Sequence, residues 1–220
     1  MVKIYIISFK KISEHFDTLT NLLSCDKKQE ILRCKSRKAA LDRLASNLML
    51  LHLFGKDYDC LLQYGKQGKP YVPGGPAFNI SHSGDYAVMA VSDQEIGIDI
   101  EKTISKRMVL SDSFLTKAEL EWIEKEPIPN FFICWTRKES IAKLDGAGLQ
   151  LGFKNFNTLP FSSEKIEIFG KNIYIKTFDY DEHIISVASE TQFHDLEMKE
   201  LNPCEFPDNS HYKNASDDEY

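Results

Sequence analysis

Two acidic residues two positions apart, Asp99 and Glu101, stand in the run Ile96-Gly97-Ile98-Asp99-Ile100-Glu101, and a third, Glu139, stands four residues before Lys143. An extended strand has a side-chain period of two, so Ile96, Ile98 and Ile100 share one face while Gly97, Asp99 and Glu101 share the other. Carboxylates side by side repel. Either water screens them on a solvated edge strand or a cation holds them, with Gly97 leaving room on that face for a ligand. A third acid such as Glu139 would complete an oxygen-rich set with the hardness that Mg²⁺ prefers. Trp135, Glu139 and Lys143 recur at i, i+4 and i+8 and so share one face of a helix. The simplest account of Glu139 and Lys143 is an intrahelical pair worth about 0.2–0.5 kcal/mol. The acids of the strand offer a second, in which carboxylate and ammonium act on a bound ligand.

Two further stretches have anion-handling chemistry. Ser81-His82-Ser83-Gly84 lies between predicted strands at 77–80 and 86–91, and reads as a connection at a sheet end, where ligand contacts concentrate. A Ser–His hydrolase is the weaker reading, because neighbours in sequence rarely form a nucleophile–base pair and no nucleophile elbow is present. Lys27, Lys28, Arg33, Lys35, Arg37, Lys38 and Arg43 crowd one segment, opposed there only by Glu30 and Asp42. Such a lead-in to a helix suits an anion, though a solvated basic face has the same composition.

The elements that must position these residues are legible from periodicity and punctuation. A helix of about four turns is predicted over 131–144. Pro127 and Pro129 end what precedes it, Asn130 can accept from free N–H groups at its start, and Gly146 with Gly148 stops it. A strongly apolar helix over 41–54 ends at Gly55, and Thr116 with Glu119 forms a capping box for a helix to about residue 125. Strands are predicted at the N-terminus, at 60–64, at 77–80, at 86–91 and at 96–101. Hairpins follow over 165–169, 173–178 and 183–188 around a turn at Gly170-Lys171-Asn172.

The 220 residues, 42% apolar and 11% aromatic, suffice for a proper core. From Glu190 onward nine acids face two lysines, a net of −7, so the total of −6 leaves +1 for residues 1–189. A near-neutral body without a recognisable reading motif argues against nucleic acid. No segment reads as a signal peptide or a membrane span. Five scattered cysteines without a C-x-x-C pair suggest reduced thiols in a cytoplasm.

Taken together, Ile96-Gly97-Ile98-Asp99-Ile100-Glu101 and Trp135-Thr136-Arg137-Lys138-Glu139-Ser140-Ile141-Ala142-Lys143 resemble the paired signature of the 4′-phosphopantetheinyl transferase superfamily. Gly68-Lys69-Pro70 and Phe78-Asn79-Ile80-Ser81-His82-Ser83-Gly84 resemble further motifs of its long, surfactin-synthetase-activating (Sfp-like) branch. The resemblance covers about residues 1–190, with departures at Glu30 and Ala40. It implies transfer of the phosphopantetheine arm of coenzyme A to a serine of an apo acyl or peptidyl carrier protein by a cytoplasmic monomer, with release of adenosine 3′,5′-bisphosphate. Asp99, Glu101 and Glu139 would hold Mg²⁺, and Glu139 would also take the serine proton. Lys143 would meet the leaving phosphate, Ser81 and His82 the phosphates of the nucleotide end, Lys27 a phosphate, and Lys69 and Arg43 the 3′-phosphate and adenine. The implied fold is α+β: two similar halves related by a pseudo-twofold, each a small antiparallel sheet with a packed helix, over 1–102 and 103–190, followed by an acidic disordered tail over 191–220. The same residue types would also serve a metal-dependent phosphohydrolase, or a binding module without catalysis.

Overall fold

The computed structural model describes residues 1–65, 67–104, 114–146, 152–160, 164–203 and 206. The residues that alternate in the sequence alternate in space. Strand β1 (Val2–Ser8) lies between β5 (Tyr86–Ser92) and β10 (Leu196–Glu200), and β5 pairs on its other side with β4 (Ala77–Ser83), giving a four-stranded sheet of order β10-β1-β5-β4. A second sheet has the order β6-β9-β8-β7, from β6 (Ile96–Lys102), β7 (Lys165–Ile168), β8 (Lys171–Tyr180) and β9 (His183–Ser189). Every pairing is antiparallel except that of β1 with β10. The protein is therefore an α+β fold with two small sheets.

Connectivity repeats between the two sheets. In the first, β1 leads through helices to the hairpin β4–β5, whose second strand returns beside β1. In the second, β6 leads through helices to β8–β9, whose second strand returns beside β6. The even-numbered positions of β1 (Ile4, Ile6), with Val88 and Ala90 of β5, join Ile96, Ile98 and Ile100 of β6 and Ile185 and Val187 of β9 in one shared core. The opposite face of the first sheet (Ile7, Ala87, Met89, Val91) packs beneath α1 (Phe9–Glu14) and α4 (Arg37–Phe54). Between these helices run the short α2 (Phe16–Thr20) and α3 (Cys25–Leu32). The opposite face of the second sheet lies under α7 (Pro127–Asp145), with α6 (Lys117–Ile123) beside it.

The seam between the sheets is made by side chains. Strands β4 and β6 are edges of different sheets, and a buried edge leaves alternate backbone N–H groups unmet at a cost of about 1–3 kcal/mol each. Asn79 Oδ1 accepts from Ile98 N at 3.0 Å, Ser81 Oγ from Ile100 N at 3.4 Å, and Ser83 Oγ from Lys102 N at 3.2 Å. Three polar residues at period two thus stand in for a missing strand.

Several expectations are corrected. Ser81, His82 and Ser83 belong to strand β4, the turn beginning only at Gly84 with φ +56°, because the polar residues 79, 81 and 83 are the strand's seam-facing set. Pro127 and Pro129 open α7, since first-turn N–H groups need no helical partner. Asn130 does not cap it but donates from Nδ2 to Trp122 O at 3.0 Å. Residues 58–61 form the helical turn α5 (Tyr58–Leu61), followed by the two-residue strands β2 (Gln63–Tyr64) and β3 (Pro70–Tyr71), rather than a strand over 60–64. Residues 196–200, placed in the disordered tail by their acidity, instead form β10, because Leu196 joins the shared core and β1 offers an open edge. The remainder of that tail from 207 onward, and Gly148, lie outside the described residues.

Gly97 does not admit a ligand. A Cβ at this position would lie 2.0 Å from Ser140 O and 2.5 Å from Leu144 N, so the backbone of α7 fills the space above it. Gly97→Ala is expected to push α7 off β6 and destabilise the chain by about 1–3 kcal/mol, in the manner of an overpacked core, as read from a denaturant-unfolding midpoint.

Candidate active site

Strand β6 and helix α7 bring the sequence-distant acids together. Because Gly97 lets the two backbones touch, the next residues on the same strand face, Asp99 and Glu101, lie under the α7 turns that carry Glu139 and Lys143. Asp99 is 4% exposed. Its Oδ1 accepts from Ser81 Oγ at 2.7 Å and from Lys143 Nζ at 2.7 Å, while Lys143 also reaches Ser81 Oγ at 2.7 Å. Asp99 Oδ2 is buried and has no hydrogen-bond partner. Ser83 Oγ donates to Glu101 Oε2 at 2.6 Å. The two serines therefore serve the seam and the acids at once.

Lys143 pairs across to the strand rather than back along its own helix: its ion-pair partner is Asp99, and among the described residues Glu139 makes no hydrogen bond or ion pair. The modest i,i+4 contact open to the sequence is not the one formed. Burial pushes the Glu139 carboxyl up to about 7, with Asp99 and Glu101 adding to the rise and Lys143 opposing it. Trp135, on the same helix face, packs among Phe114, Phe131 and Phe153 and so sets the helix in place rather than lining the acids.

The basic residues divide into two places. Lys27, Arg43 and His82 line a cavity of about 300 Å³ floored by Leu50, Leu62, Tyr64 and Ile80. Each of them has an acid beside it: Glu30 lies 3.3 Å from Lys27 and 3.8 Å from Arg43, and Asp42 lies 3.6 Å from His82. Burial lowers the His82 pKa against the pull of Asp42, and Lys38 and Lys143 lower it further. Lys69 stands apart. Its ammonium binds Glu95 at 2.7 Å and the carbonyls of Ile96 and Leu144 at 3.3 and 3.4 Å, tying the end of α7 to the start of β6 beside a cavity of about 760 Å³.

One residue before Glu139, a contact escaped the sequence reading. Lys138 is fully buried and donates to Phe153 O and Phe156 O, both at 2.7 Å, with Glu119 Oε2 at 3.0 Å. Glu119 completes the Thr116 capping box and also accepts from Thr158 N and Oγ1. This closed network fixes the rotation of α7 and hence where Glu139 points. A lysine directly following the apolar first half of the helix, beside Arg137, was the available signal.

Hard oxygen donors, an unpartnered buried oxygen on Asp99 and a carboxyl raised by its neighbours fit a divalent cation. As placed, no group of three His, Cys, Asp or Glu among the described residues is gathered closely enough to hold one.

An α+β chain that sets three carboxylates, a lysine and two serines at the seam of two similarly connected sheets, next to a basic cavity, belongs with enzymes that act on phosphate groups. The comparisons specify which. A profile of the 4′-phosphopantetheinyl transferase superfamily matches residues 95–194. A 4′-phosphopantetheinyl transferase of Bacillus subtilis is 30% identical over 201 residues, 83% of this chain and 90% of its own. The 4′-phosphopantetheinyl transferase Sfp of Bacillus subtilis (strain 168) is 28% identical over 76% of this chain and 82% of its own. The 4′-phosphopantetheinyl transferase gsp of Aneurinibacillus migulanus is 29% identical over 66% of each. The chain belongs to the 4′-phosphopantetheinyl transferase superfamily.

Glu139 has a measurable cost to folding. Its folded pKa of about 7 lies above the ordinary 4.5, so the folded chain binds the extra proton between these values. The stability of the neutral form is fully present below about pH 4.5 and is lost as pH rises through about 7. With chelator present, Glu139→Gln is expected to be more stable than the parent at pH 8 by on the order of 1–3 kcal/mol, with the gap closing as pH falls toward 4.5, in thermal unfolding.

Proposed function

We propose that this chain transfers the 4′-phosphopantetheine arm of coenzyme A to a serine hydroxyl of an apo acyl or peptidyl carrier protein. The observation that carries the reading is the convergence of Lys143, Ser81 and Asp99 beneath Glu139, in a chain of this superfamily. The carrier serine oxygen bonds to the β-phosphorus of coenzyme A. The bridging bond to the α-phosphate breaks, and adenosine 3′,5′-bisphosphate leaves.

Each residue has a part that follows from its environment. Glu139, whose carboxyl is poised near neutrality without a competing hydrogen bond, takes the serine proton directly or through water. Lys143 turns its ammonium to the departing α-phosphate and stabilises the charge that develops there. The nucleoside end fits the cavity of His82, Arg43 and Lys27, whose apolar floor suits a base and whose basic rim suits phosphate. Lys69 stands apart from that cavity, and its part is to tie the α7 terminus to the start of β6 rather than to meet the 3′-phosphate and adenine. Asp99, Glu101 and Glu139 would hold Mg²⁺, with the unpartnered Asp99 Oδ2 as the first oxygen available to it. When bound, the ion neutralises charge on the pyrophosphate oxygens and orients them.

The chain acts as a monomer in the cytoplasm, and its halves divide ahead of β6 rather than at residue 102, because β6 pairs with β9 of the second sheet. Cys25, Cys34, Cys60 and Cys134 are free thiols, in keeping with a reducing compartment.

Incubation with coenzyme A, Mg²⁺ and a panel of apo carriers is expected to raise the intact mass of at least one carrier by one phosphopantetheine arm. Breakdown of coenzyme A without a carrier would instead indicate a phosphohydrolase, and binding without turnover a non-catalytic module. Glu139→Gln is expected to lower transfer by about 10²-fold or more while coenzyme A still binds.

A further inference from the structure

The ammonium of Lys143 sits on one oxygen of a carboxylate whose other oxygen is the one open to a cation. Asp99 has both donors, Lys143 Nζ and Ser81 Oγ, on Oδ1 and none on Oδ2, although Oδ2 is buried. A buried carboxylate in this state needs a positive charge, and Lys143 supplies it from one side only. A divalent cation on Oδ2 would share this single carboxyl with the ammonium. The ion and the ammonium repel one another, and partial burial strengthens the repulsion by lowering the local dielectric constant. The Lys143 side chain is 27% exposed, so its ammonium has a way out.

We propose that Lys143 is the resident counter-ion of Asp99 and competes with the divalent cation for it, so that the metal alone binds weakly and binds tightly only once a pyrophosphate draws the lysine away. The inference rests on the proposed metal site. It makes Lys143 a coupling residue between two ligands: whatever phosphate does to metal affinity by removing the lysine, metal does equally to phosphate affinity. One consequence is that the three acids are not left as an empty anionic cluster in the resting chain. Lys143 keeps Asp99 neutralised, and free Mg²⁺ without substrate leaves the site largely unchanged.

The test is Mn²⁺ binding in the absence of any nucleotide, followed by the loss of the free-ion electron paramagnetic resonance signal at pH 7.5. The full chain, Lys143→Ala, Asp99→Asn and the double variant Lys143→Ala/Asp99→Asn are compared, each checked for a cooperative thermal transition. Lys143→Ala is expected to bind Mn²⁺ about tenfold more tightly than the parent, and in the Asp99→Asn background the Lys143→Ala change is expected to give no gain. Equal affinity in the parent and Lys143→Ala, with both reduced by Asp99→Asn, would leave the metal site standing and overturn the competition. A gain that survives Asp99→Asn would reduce the effect to net charge and overturn it as well. Mn²⁺ binding that is indifferent to Asp99 in every form, even with coenzyme A added, would remove the metal site and the inference with it.

Discussion

The arrangement depends on one row of hydrogen bonds, from the backbone N–H groups of Ile98, Ile100 and Lys102 to the side chains of Asn79, Ser81 and Ser83. Two sheets could have met by ordinary strand pairing, which would use backbone on both sides and leave the side chains free. Here the donors are backbone and the acceptors are side chains, so the strands stay separate enough for polar groups to stand between them. The same hydroxyls then donate onward to Asp99 and Glu101. Joining the sheets and holding the acids are consequently one set of interactions. A change at Ser81 or Ser83 acts on both.

Two consecutive residues of α7 show how differently charge is treated in the structural and chemical parts of the fold. Lys138, fully buried, meets two carbonyls and Glu119, and Glu119 in turn is satisfied by Thr116 and Thr158. That network is closed, and losing either charge alone would leave the other stranded, a loss of about 3–5 kcal/mol. Glu139, the next residue, has no hydrogen bond among the described residues and a carboxyl displaced to about 7 by burial and by its neighbours. Lys138 is held in place on every side, and half-buried Glu139 beside it has a fixed direction with no partner already in place.

The repeated connectivity of the two halves places the site where it is. Each half contributes an edge strand to the seam, β4 from one and β6 from the other, and each covers the outer face of its sheet with a long helix. Helix α7 crosses β6 at Gly97, and from there Lys143 reaches down onto the seam. The halves are alike in topology and unlike in chemistry.

Much of this was legible in the residue order. Period two in Ile96–Lys102 placed Asp99 and Glu101 on one face, the helical period placed Glu139 and Lys143 on another, and Thr116 with Glu119 marked a helix start, because each of these patterns is a local consequence of backbone geometry. The family signature was legible for the same reason, being short and contiguous. What the tertiary structure alone decided was partnership. The ammonium of Lys143 had an obvious neighbour at Glu139 and went instead to Asp99, since Gly97 lets helix and strand close to backbone contact. Ser81 and Ser83 read as loop residues, yet they pair with Val88 and Tyr86 of β5 and turn their hydroxyls to the N–H groups of β6. Acidic residues 196–200 read as tail until β1 offered an edge. Local sequence specifies which face a side chain occupies, but which charge it meets depends on segments far away in the chain, and their approach is set by packing that no short window contains.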